Sequence, residues 1–188
     1  MGQESWEDFF GKDDSKEVLI QKAIKLSSIL INTTADDINY LFDKAEDFNL
    51  ELKGERLEAF FDLLILKIKL ADGFANLYLR EEPRGFFTNS LIVSAGKMLI
   101  NSLEGLFSKK VSDGIERGAV SNFYNFCYEN LKEYDKYTEL SDILRHFNNK
   151  LAKRHTKNND VKNISMFTKA IVETFSIVAP KLMNVSND

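Results

Sequence analysis

The sequence predicts an all-α fold: a single-domain bundle of about seven helices with a long central antiparallel helix hairpin. Three observations carry this prediction. Apolar residues recur at helical spacing over most of the chain. Only 2 prolines and 9 glycines interrupt 188 residues, so breaks are few. The period-2 runs Ile29–Ile31 and Leu50–Leu52 are too short to specify a strand.

Residues 1–14 form an N-terminal segment, a short helix or docking arm, in which Trp6, Phe9 and Phe10 sit among acids. The helical domain spans 15–183, and 184–188 is a frayed tail. A first helix runs from Ser15 to Ile31, where Asp14 and Glu17 have capping-box spacing and Leu19, Ala23, Leu26 and Leu30 share a face. A second starts at Thr34, with Asp36 and Asp37 in a first turn that suits carboxylates.

The third, Glu55 to Arg80, is apolar on all but a narrow stripe, which marks a buried post. Its polar residues Glu55, Glu58, Asp62, Lys69, Asp72 and Asn76 fall along one line, which reads Asp72 as a surface residue paired with Lys69. Pro83 ends this helix, and a fourth covers Phe87 to Phe107. The short connection makes the two an antiparallel hairpin. A fifth helix, Ser112 to Tyr134, turns Phe123, Phe126 and Cys127 inward. A sixth, Thr138 to Arg154, carries Leu140, Ile143, Leu144, Phe147 and Leu151 on one side. A seventh, Val161 to Leu182, is kinked or ended by Pro180.

Composition narrows the function classes. A chain of this length can bury roughly 70% of its unfolded surface without a staple. The 15 phenylalanines supply a large aromatic core. The single Cys127 cannot form an internal disulfide, which suits a reducing, cytoplasmic setting. The acidic start MGQESWEDFF lacks a secretory pattern. The most apolar run, Leu57 to Leu79, holds Asp62, Lys67, Lys69 and Asp72, so no membrane span is expected. Charge is uneven: residues 1–62 hold 15 acids and 7 bases, whereas 145–188 hold 3 acids and 8 bases. Such polarity suits self-association or nucleic-acid contact.

No catalytic residue, metal site or cofactor site is predicted. The two histidines, His146 and His155, lack the Glu three residues before each His that a di-iron bundle needs, and His-Glu-x-x-His is absent. Neither phosphate-binding glycine motif occurs. HEPN-type nucleases place Arg five to seven residues before a His on one helix, and neither histidine meets that pattern.

Two constellations remain. Gly73 and Gly96 in helices point either to close approach of helix backbones or to a ligand cavity walled by Phe74, Tyr78, Phe86 and Phe87. The basic segment 145–162 offers Lys150, Lys153, Arg154, His155 and Lys157 as phosphate contacts, against a simpler reading as a solvated helix end. The function expected first is non-enzymatic protein–protein contact as a homodimer. A small-molecule-binding bundle with the aromatic pocket is the alternative, and nucleic-acid binding through 145–162 the third.

Overall fold

A computed structural model describes residues 5–11, 13–47, 49–107, 113–137 and 139–184. It is all-helical, with α1 Trp6–Phe10, α2 Lys16–Asp43, α3 Arg56–Tyr78, α4 Glu81–Phe107, α5 Asp113–Lys132, α6 Leu140–His155 and α7 Val161–Asn184. The frayed tail expected at 184–188 lies outside the described residues except for Asn184.

The first two predicted helices are one. α2 runs 28 residues without a break at Thr33 and Thr34. No glycine or proline lies there to stop it, and the Thr33 hydroxyl donates to the Ile29 carbonyl 2.8 Å away, satisfied inside the helix. Asp36 and Asp37 therefore cap nothing; Asp37 reaches across to Lys67 instead.

α3 is the central post. Residues 62 to 68 are all buried, the five aliphatic ones among them no more than 1% exposed. Contact with α1, α2, α4, α5 and α6 buries the middle of this helix, while Leu57, Gly73 and Leu77 stay exposed. Two members of its polar stripe are buried, Asp62 at 5% and, against expectation, Asp72 at 8% exposed, while Glu55, Glu58 and Asn76 remain exposed.

α4 begins earlier than predicted. Only Leu79 and Arg80 separate it from α3, and Pro83 falls in its first turn, where a missing N–H costs nothing. The two helices run antiparallel, Asp72 meeting Thr88 and Asn76 meeting Arg84. The most extensive contact of α4, however, is with α2. Those two lie parallel: Lys16 stands over the Phe86 ring near one end, and Ser27 reaches Met98 further along. α5 packs back on α4, and α6 and α7 form an antiparallel-sequence neighbour pair closing the bundle against α2 and α3.

α7 continues through Pro180 to Asn184. Two residues read as inward are exposed, Phe126 at 42% and Leu140 at 47%. The glycines in helices also differ from expectation. A Cβ on Gly73 would meet nothing within 4 Å, whereas one on Gly96 would lie 2.9 Å from the Phe123 ring. The close approach at Gly96 is by a ring of α5, not by a backbone. Among the described residues, no helix is long and apolar enough to cross a membrane.

Candidate functional site

The expected aromatic pocket is occupied by the chain itself. α1 is held by a complete capping box between Ser5 and Asp8 and by Lys22, whose ammonium grips the Phe10 carbonyl. Trp6 stacks on Phe74 at 4.6 Å, and Phe10 stacks on Tyr78 and meets Phe87 edge-on at 5.1 Å. Phe87 is fully buried. Phe74, Tyr78 and Phe87 thus form one seat with α1 in it. Phe86 faces elsewhere, beneath Lys16.

The basic segment is not a free end of helix either. His155 is fully buried, and its Nε2 lies 3.0 Å from the Asp62 carboxylate. Arg154 donates to the other Asp62 oxygen at 2.8 Å. Lys150 donates to Glu133 at 2.9 Å and Asn130 at 3.1 Å, with Asp62 4.0 Å away. Burial works to raise the Asp62 carboxyl, but the His155 hydrogen bond and the charges of Arg154 and Lys150 outweigh it and hold the group below the ordinary carboxylate range. An ionised carboxylate only accepts, so Nε2 of His155 carries the proton. Lys157 lies 3.8 Å from Glu51, beside the bridge that pairs Leu52 with Thr156. Lys153 stays exposed. Lys150, Arg154, His155 and Lys157 thus tie α6 and the residues after it to α3, to the segment after α5 and to the loop before α3.

Burial pushes the Cys127 thiol up to about 12, which leaves it unreactive at neutral pH. Among the described residues, no group of three or more His, Cys, Asp or Glu side chains could hold a metal ion.

Two concavities were not foreseen. The larger, about 580 Å³, is an apolar groove between the parallel helices α2 and α4. Ile20 and Ile24, each 38% exposed, form one wall; Phe86, Val93 and Met98 line the other. Ser27, buried beneath Met98, donates its hydroxyl to the Ile24 carbonyl. Lys97 stands in the groove, and a smaller hollow of about 230 Å³ shared through Val93 and Lys97 continues to Arg117 and Tyr124 on α5. Among the described residues, the combined lining carries these two cations and no acid. The spacing of Phe86, Ser90, Val93, Lys97 and Asn101 along one face of α4 was visible in the sequence. That α2 would lie parallel to α4 and leave a trough beside that face was not.

The smaller concavity, about 270 Å³, lies where α3, α4 and α5 converge. Arg84 grips Asp72 with two hydrogen bonds of 2.6 and 2.9 Å, and Thr88 donates to the same carboxylate at 2.8 Å. That hydrogen bonding to Asp72 holds the Arg84 guanidinium above its ordinary value, against the opposing effect of burial. Lys69 bridges to Asp135 at 3.1 Å, with Asp72 3.9 Å away. Set against known protein families, curated proteins and solved structures, the chain matches none of them.

Proposed function

We propose that this protein works through protein–protein contact, with the α2–α4 groove as its docking face and an acidic amphipathic helix of a partner protein as the occupant. One observation carries the reading: a large apolar trough, with wall residues left exposed, is lined by cations and, among the described residues, no acid. Exposed apolar surface of that kind has a cost in water, and it marks sites where a partner removes it. From Phe86 to Asn101 the trough follows about four turns of α4, roughly 22 Å, the length of a helix of about 15 residues. Helix-in-groove binding places residues i, i+3, i+4 and i+7 against such a surface, and acids on the flank would meet Lys97.

The test uses a fluorescent synthetic helix of about 15 residues, with leucines at those positions and glutamates on its flanks, and a lysine-flanked twin. The glutamate peptide is expected to bind and the lysine peptide to bind at least about tenfold more weakly. Lys97→Glu should reverse much of that preference, and Ile24→Asn should weaken both. Equal binding of the two peptides, or binding indifferent to Lys97→Glu and Ile24→Asn, refutes the reading. Light scattering covers the other occupant. A dimer that Ile24→Asn converts to monomer would give the groove to a second copy of the chain, as the homodimer expectation has it, and overturn the choice made here.

A further inference from the structure

The cleft between α3, α4 and α5 plays no part in that docking, and its charges are arranged in two shells. The inner shell is Lys69, Asp72 and Arg84, with side chains 13%, 12% and 31% exposed. It carries a net charge of +1. The outer shell is Glu81, Lys132 and Asp135, all exposed, and carries −1. Between them the floor is apolar: Ile92 is 1% exposed, and Leu131 and the Tyr128 ring lie beside it. Lys132 is held over Tyr128 at 4.4 Å, which fixes a cation at one edge. Gly85 also lines the cleft, and a Cβ there would meet nothing within 4 Å. A glycine in a helix costs about 1 kcal/mol relative to alanine. Here its missing side chain is what leaves the cleft open.

We propose that this cleft binds a small zwitterion with an apolar arm, of the free α-amino acid class. The lining holds three cations and three acids, most of them paired with one another or, for Lys132, with Glu129, and a neutral dipolar ligand adds no net charge to that arrangement. The inner excess of positive charge takes the carboxylate, near Arg84 and Lys69. The outer excess of negative charge takes the ammonium, near Glu81 and Asp135. The apolar arm lies on Ile92 and Leu131. The volume, about 270 Å³, equals that of about nine waters, enough for such a molecule.

The experiment is a thermal-shift and calorimetric panel of the twenty L-amino acids against the full chain. At least one apolar amino acid should raise the melting temperature by about 3 °C at tenfold excess over its Kd. Its deaminated carboxylate and its decarboxylated amine should each leave the temperature unchanged. Gly85→Leu should abolish the shift with helical circular dichroism intact. Glu81→Gln should weaken binding about tenfold by removing a partner of the ammonium, and this variant decides alone if Gly85→Leu does not fold. A silent panel, a shift that survives both variants, or equal binding of a singly charged analogue overturns the proposal. None of these outcomes bears on the peptide binding tested at the groove.

Discussion

Lys67 lies in the most apolar stretch of α3, only 1% exposed, with its ammonium 2.6 Å from Asp37 and 2.9 Å from the Thr33 hydroxyl. Burial lowers its pKa, and Asp37 opposes that shift. A buried pair is costly to break from one side but cheap to replace by apolar volume. The double variant Lys67→Met with Asp37→Leu should therefore change stability by less than about 1 kcal/mol, whereas Asp37→Ala alone should cost about 3 kcal/mol by urea denaturation. The two helical glycines separate in the same way. Gly73→Ala, into open space, should stabilise by up to about 1 kcal/mol. Gly96→Ala must push the Phe123 ring, and its net effect should be destabilising by about 1 kcal/mol. The sequence showed two costly glycines. It could not show that one faces solvent and the other a ring, because that depends on the neighbour.

At the scale of elements, α1 is only five residues long and too short to hold itself together in water. Its helicity comes from the seat it occupies on Phe74, Tyr78 and Phe87. Trp6→Ala should cost about 3 kcal/mol and release the segment, seen as lost protection from hydrogen exchange over residues 6–10. The sequence showed the aromatic arm and, through the helical glycines, an aromatic cavity at Phe74, Tyr78 and Phe87. That they belong to each other was not legible, since nothing local couples Trp6 to Phe74. Helix existence was legible in the same way, because the 3.6-residue period is a local property. The division of α2 was misread at Thr33 and Thr34, which favour helix starts as readily as they tolerate helix interiors. The start of α4 was misread at Pro83, a residue equally at home after one helix or inside the first turn of the next.

Across the whole molecule, Asp62 ties α3 to α6 and sets a pH dependence. Its carboxyl is held below the unfolded value of about 3.9, so the stability it contributes is complete above that pH and is lost as pH falls through the folded value. Urea midpoints should drop below about pH 4, and Asp62→Asn should lower the pH 7 midpoint and flatten that acid limb. The basic segment 145–162 looked like a surface patch because its cations are adjacent in sequence. In the fold Arg154 and His155 turn to a carboxylate 92 and 93 residues away. Both the groove and the cleft have walls from helices far apart in the chain, α2 with α4 and α3 with α5, so no local pattern announces them. The sequence by itself determined that the chain is helical, where its apolar faces lie, and that α3 is buried, because periodicity and hydrophobicity act through near neighbours. Only the tertiary structure decided which faces meet, which charges are paired, and which apolar surface is left over, because those follow from how seven helices divide one another's burial.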